Sequence, residues 1–189
     1  MTHPHPTVVQ SAATAIWRRL ATVAQTTGQA RIVTIDGRAG TGKTTLAEAV
    51  AELTDATVIH LDDLYDGWAG LAAGIAQAAT IVDAATTQSS VAYRPYNWML
   101  GRYEEAVVIE LGDVLIVEGV GAGAEQLRPR VGLAVWLESP ADLRRQRALQ
   151  RGGEDFASHW DDWATLEERY INENRPDHYA DLRYDFATN

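Results

Sequence analysis

The sequence predicts an α/β fold, a parallel sheet between two layers of helices. Three observations carry that prediction. Short apolar runs alternate along the chain with segments of helical periodicity. Two of the runs, Val114-Leu115-Ile116-Val117 and Leu133-Ala134-Val135-Trp136-Leu137, are continuous rather than alternating, as in strands buried on both faces. Third, the stretch Gly37-Arg38-Ala39-Gly40-Thr41-Gly42-Lys43-Thr44 fits G-x-x-x-x-G-K-[ST] at every fixed position, between an apolar strand-like segment and a helix-like one.

Taken in order, Ser11 to Gln25 reads as a helix with Ala12, Ala15, Ile16, Leu20 and Val23 on one broad face, ended by Gly28. Arg31–Ile35 is the first strand. The glycine-rich loop and a helix to about Leu53 follow. Thr57-Val58-Ile59-His60-Leu61 is a second short strand, with Asp62-Asp63 at its C-terminal end. Trp68 to Ala85 is helical for part of its length, and Gln88 to Asn97 reads as loop. The strand Val114–Val117 runs into Glu118-Gly119. After Leu133–Leu137, Ser139 reads as an N-cap with Pro140 at the first helical position and Asp142 in the first turn of a helix to about Arg151. Trp160 to Asn174 is a further helix. Trp160, Trp163, Ala164, Glu167, Tyr170, Ile171 and Asn174 share one side of it, a spacing usual for core aromatics. Leu182 to Phe186 is a candidate last strand.

Bulk properties exclude several classes. The 189 residues suit one domain large enough to bury a core. There is no cysteine, which rules out disulfides and cysteine-based zinc sites and suits a reducing, cytoplasmic setting. A net charge of −10 makes the chain a poor nucleic-acid binder. No stretch reaches the length of a membrane span, and Met1–Thr7 carries His-Pro pairs without an apolar run, so neither membrane nor signal peptide is expected. His159 and His178 lack partners at metal-ligand spacing and read as surface or capping residues.

The glycine-rich loop carries the chemistry. Its backbone N–H groups can curl around an anion, and the following helix adds its positive dipole end. Lys43 would reach the β- and γ-phosphates of a nucleoside triphosphate, and the Thr44 hydroxyl would hold Mg²⁺. Glu118 closes an apolar strand, a usual place for an acid that steadies the same ion. Gly119, Gly121 and Gly123 then offer a tight turn and room for a ligand, or a plain loop. Asp62 and Asp63 leave their strand in different directions, so one of them is expected to face the nucleotide and accept a proton from a hydroxyl. Asp36, just before the loop, suits tuning of the site or a simple turn cap, and reads as the cap. Arg144, Arg147 and Arg151 share a helical face. They suit a lid over a migrating phosphoryl group, hinged at Gly152-Gly153, or a solvated basic face paired with acids such as Glu154 and Asp155. Tyr93-Arg94-Pro95-Tyr96-Asn97-Trp98 combines aromatic platforms with an arginine. That suits a flat or anionic acceptor, or a loop pinned to the core.

Gly37–Thr44, Ile59-His60-Leu61-Asp62-Asp63-Leu64-Tyr65, Val114–Gly119 and the arginine helix together resemble the uridine kinase and nicotinamide riboside kinase group of P-loop kinases. They resemble more closely the uridine-kinase-like ATP-binding proteins of actinobacteria. The resemblance does not extend over Asp66–Asp113. It implies a three-layer P-loop NTPase fold, with a five-stranded parallel sheet of order 2-3-1-4-5, helices on both faces and a small lid around 144–156. It implies ATP and Mg²⁺, and gives Asp62 rather than Asp63 the role of base.

The resulting expectation is one domain over 1–189 that phosphorylates a hydroxyl of a small, nucleoside-like molecule. Asp62, Lys43, Arg147 and Arg151 are the catalytic candidates. Gly37, Arg38, Ala39, Gly40, Thr41, Gly42, Lys43, Thr44 and Thr45 would bind nucleotide. Asp62, Tyr93, Arg94, Trp98 and Glu118 would bind acceptor, and Thr44 and Glu118 the metal. A non-nucleoside acceptor (a sugar acid, a shikimate-like alcohol or a cofactor precursor) and a nucleotide switch acting on a protein partner stay open. The missing N/T-K-x-D signal counts against a GTPase switch.

Overall fold

The computed structural model describes residues 6–23 and 30–187, and of residue 155 the backbone alone. In chain order the elements are α1 (Pro6–Leu20), β1 (Arg31–Gly37), α2 (Lys43–Thr54), β2 (Thr57–His60), α3 (Leu71–Ala85), β3 (Ser90–Tyr93), β4 (Tyr96–Asn97), β5 (Arg102–Tyr103), β6 (Val107–Glu110), β7 (Val114–Glu118), β8 (Leu133–Glu138), α4 (Ala141–Asn174), α5 (Pro176–Tyr179) and β9 (Leu182–Asp185). A 3₁₀ turn, Leu61–Asp63, follows β2.

The five-stranded sheet has the order β2-β7-β1-β8-β9, every pair parallel. Counting only its own strands along the chain, this is 2-3-1-4-5, the P-loop NTPase arrangement. Side chains alternate across β1 and divide the core in two. Val33 and Ile35 pack with Val9, Ile16, Leu46 and Val50 from α1 and α2. Ile32 and, from β7, Leu115 and Val117 pack with Ile75, Val82, Trp163 and Tyr170 from α3 and α4. Each fully buried Leu or Ile in these layers contributes roughly 1.5–3 kcal/mol. Among the described residues no helix is long and apolar enough to cross a membrane.

Four expectations are corrected. The Gln88–Asn97 segment is not loop throughout: β3 pairs antiparallel with β6, and β4 with β5, forming an arm beside the main sheet. These strands are only two to four residues long and mostly not buried, too short to show a periodicity of their own. Ser139 is not a helix cap. Pro140 takes the N-cap position, and the buried Ser139 hydroxyl donates to Phe186 O at 3.0 Å, fastening the end of β9. The second C-terminal helix does not start at Trp160: α4 comprises two helical segments that meet at a kink at Gly153 (φ 62°, ψ −150°), where the hinge was expected, so the second segment begins directly after it. Finally, α1 ends at Leu20; Gln25 and Gly28 lie outside the described residues.

Candidate active site

Parallel strands deliver their C-terminal ends to one rim, where such sheets bind ligands. β1 ends in the glycine-rich loop, β2 in Asp62, and β7 in Glu118, which lies in register between Ile35 and His60. The loop needs its glycines. At Gly40 φ is +80°, and a Cβ there would stand 2.2 Å from Arg144 O, so α4 packs directly on the cradle. Lys43 folds over the loop, its Nζ donating to Arg38 O at 3.0 Å, and is buried at the start of α2.

Thr44 Oγ1 donates to Glu118 Oε1 at 3.0 Å, and His60 Nδ1 stands 2.6 Å from the same oxygen. That hydrogen bond to the buried glutamate raises the His60 pKa above the ordinary imidazole value. Thr44 and Glu118 thus present two hard oxygen donors side by side. Mg²⁺ takes few protein ligands and keeps water and phosphate oxygens, so the pair fits it. Among the described residues no group of three His, Cys, Asp or Glu side chains is placed to hold a metal alone, so a cation here would complete its shell from ligand and solvent.

A cavity of about 710 Å³ opens over this rim. Ala39, Gly40, Gly42, Lys43, Thr44 and Thr45 of the loop region line it, as does an aromatic wall of Tyr65, Trp68, Trp98, Phe156 and Trp163. Asp62, Glu118, Arg147 and Arg151 lie along it. Asp62 faces the cavity and Asp63 does not, the division expected of adjacent acids. Encircling protein raises the Asp62 pKa above the usual carboxylate value, opposed first by the Arg151 guanidinium, although its side chain stays 54 % open to the cleft. Trp98 Nε1 donates to Asp62 O at 2.9 Å.

Not every predicted residue arrives there. Gly37, Arg38 and Thr41 shape the loop without lining the cavity: Arg38 pairs with Glu168, and Thr41 Oγ1 donates to Arg38 O at 2.9 Å. Tyr93 lies in β3 opposite Val107, and Arg94 Nε donates to Glu104 O at 2.8 Å; neither lines the cavity. Arg144 holds backbone, donating to Ser139 O at 3.1 Å and Ala39 O at 3.4 Å, while Arg147 and Arg151 reach the cleft. The room beside Gly119, Gly121 and Gly123 is taken by Leu61, Ile75 and Asp36 rather than left for a ligand.

Sequence reasoning missed several contributors. Asp36 does more than cap a turn. Buried, with its pKa raised by desolvation, it accepts from Gly37 N (2.6 Å), Gly121 N (3.2 Å), Gly123 N (2.9 Å) and Tyr170 Oη (2.5 Å), joining three segments. Trp68 is the hub of the aromatic wall, 4.9 Å from Trp98 and 5.1 Å from Phe156 between ring centroids. His159 stacks on it at 4.7 Å and 18°, so it is not a plain surface residue. Glu167 supports the loop from behind. The one signal for it was a carboxylate on an otherwise aromatic helix face.

Fold and loop together define a P-loop NTPase architecture. No protein-family profile and no curated protein matches the sequence. Solved structures do match. A possible uridine kinase from Bacillus stearothermophilus superposes with a TM-score of 0.68 at 18% identity, covering 93% of this chain and 98% of its own. A candidate fructose transport system kinase from Silicibacter sp. TM1040 gives 0.61 at 18%, with 93% and 98% covered. The D-glycerate 3-kinase of Cryptococcus neoformans var. grubii gives 0.56 at 12%, with 86% and 87% covered. At these identities the likeness is one of fold.

Proposed function

We propose that the protein is an ATP-dependent phosphotransferase acting on a hydroxyl of a small, nucleoside-like molecule. One observation carries the reading: a single cleft joins a phosphate-binding loop, a carboxylate of raised pKa and an aromatic wall. Lys43 and the amides around Gly40 and Gly42 hold the β- and γ-phosphates. Thr44 and Glu118 would hold Mg²⁺, which would offset the charge of the phosphates. Asp62 accepts the proton of the acceptor hydroxyl as its oxygen bonds to the γ-phosphorus and the bond from that phosphorus to the β-phosphate oxygen breaks, leaving ADP. Its raised pKa makes it a stronger base than an ordinary aspartate. Arg147 and Arg151, on α4 before the kink, balance the charge of the moving phosphoryl group.

The wall of Trp68, Trp98, Trp163, Phe156 and Tyr65 favours a planar ring in the acceptor. The kinases of similar fold are named for uridine, fructose transport and glycerate, which supports a small-molecule acceptor without selecting one. A sugar-acid acceptor is the second reading, favoured by the exposed Arg151 guanidinium above Asp62. ADP release measured against nucleosides, sugars, sugar acids and cofactor precursors tests both. Release that needs a nucleoside and is lost in Asp62→Asn supports the proposal. ATP turnover stimulated only by a protein partner would replace it with the switch.

A further inference from the structure

Glu167 is 1 % exposed, and one of its oxygens serves two donors. Oε1 accepts from Ala39 N–H at 2.7 Å and from Trp163 Nε1–H at 2.8 Å. Ala39 belongs to the phosphate-binding loop. Trp163 belongs to the aromatic wall, its ring 5.0 Å from Tyr65 and 6.2 Å from Trp68 between centroids. Both residues line the cleft and Glu167 does not, so the carboxylate joins loop and wall from behind.

A carboxylate is an unexpected choice for that place. Burial raises its pKa, the sign that ionising it there is costly, and a negative charge behind the loop opposes a polyanion in front. Lys43 and Arg144 lie close enough to relieve part of the cost. What the carboxylate adds is geometry: one oxygen holds a backbone amide and an indole at a set separation. Neither donor can shift without weakening a buried, charge-assisted bond.

We propose that Glu167 is a positioning residue that couples the phosphate loop to the aromatic wall, holding the loop in a binding shape set by where the Trp163 indole sits. The proposal rests on the reading of the loop as nucleotide site and of the wall as acceptor site. Its consequence is linkage: an acceptor that settles the aromatic wall tightens nucleotide binding, and nucleotide tightens acceptor binding by the same factor.

ADP serves as the probe, with its Kd measured by calorimetry on the full chain. Trp163→Phe keeps the aromatic bulk and removes the indole donor; it is expected to weaken ADP about threefold to tenfold, although the bond removed is to Glu167 and not to nucleotide. Trp160→Phe, on the same helix without a bond to Glu167, stays within about twofold, below the energy of one such bond. Glu167→Gln retains an Oε1 acceptor and stays within about threefold, whereas Glu167→Ala weakens ADP at least tenfold. Adding Trp163→Phe to Glu167→Ala weakens it no further, because the two changes cut one connection. Should Glu167→Ala fail to fold, the comparison of Trp163→Phe with Trp160→Phe decides. Equal affinities in wild type and Trp163→Phe, or additive losses in the double variant, overturn the coupling while leaving the nucleotide site intact. A wild-type protein that binds no ADP overturns the nucleotide reading itself, and the coupling with it.

Discussion

Arg151 reaches across the cleft to Asp62, its Nη2 standing 3.7 Å from Oδ2. Both side chains are more than half exposed, so the pair adds little to stability. Its significance is electrostatic. Helix α4 brings a cation to the carboxylate proposed as base, at the point where, on that proposal, phosphoryl charge would pass.

Asp62→Asn removes the proton acceptor and keeps the shape. Phosphoryl transfer to the acceptor found by panel is expected to fall about 10²- to 10⁴-fold, with the ADP Kd unchanged. Steady-state kinetics beside calorimetry check this. Full turnover in the variant would exclude Asp62 as the base.

The pH profile carries a second prediction. Asp62 works ionised, and its pKa is raised, so kcat/KM falls on acidification through a midpoint above the ordinary aspartate value. Arg151 lowers that pKa. Arg151→Ala therefore moves the acid midpoint further up, while Arg151→Lys keeps it near wild type. A downward shift in the alanine variant would contradict the assignment.

The kink at Gly153 offers a third test. A Cβ there meets nothing within 4 Å, so the obstacle to Gly153→Ala is the backbone conformation alone. The strain is about 1–3 kcal/mol, relieved if the helix straightens and carries Arg147 and Arg151 away. Turnover is expected to drop about tenfold or more, one factor of ten per 1.4 kcal/mol, with ADP affinity nearly unchanged. Turnover equal to wild type would remove the kink from the mechanism.

Tyr170 donates to the buried Asp36 at 2.5 Å, and this bond lowers an Asp36 pKa that desolvation has raised. Tyr170→Phe is expected to cost about 2 kcal/mol wherever Asp36 is ionised, as for a hydrogen bond to a charged group. The bond favours ionised Asp36. The loss is therefore full above the folded-state pKa of Asp36 and shrinks as pH falls through it. Urea unfolding of both proteins across that range reads the difference; a cost that grows on acidification would reverse the argument.

Much of the site was legible along the chain. Gly37–Thr44 announces itself because a phosphate cradle is built from consecutive backbone amides, and Asp62 and Glu118 because parallel strands end on a common rim. The kink at Gly153 was legible for a like reason, a glycine pair after a helix. By contrast, Tyr93 and Arg94 were drawn toward the site by composition. Tyr93 ends a strand whose partner residue, Val107, lies well downstream, Arg94 sits in the connection that follows, and pairing at that distance leaves no local trace.

The residues that unite the site were not legible at all. Glu167 and Tyr170 read as part of a core helix face, yet they hold Ala39 and Asp36, more than 120 residues away along the chain. The chain by itself determined the strands of the central sheet, the glycine-rich loop and the acids that leave the sheet, because each follows from periodicity or from neighbours in sequence. Only the tertiary structure decided that Trp68 and Trp163 would form an aromatic wall, that Arg144 would serve backbone while Arg151 met Asp62, and that Glu167 would stand behind the loop. Those outcomes depend on how α4 packs across the sheet, and long-range packing is a property of the folded surfaces rather than of any local stretch.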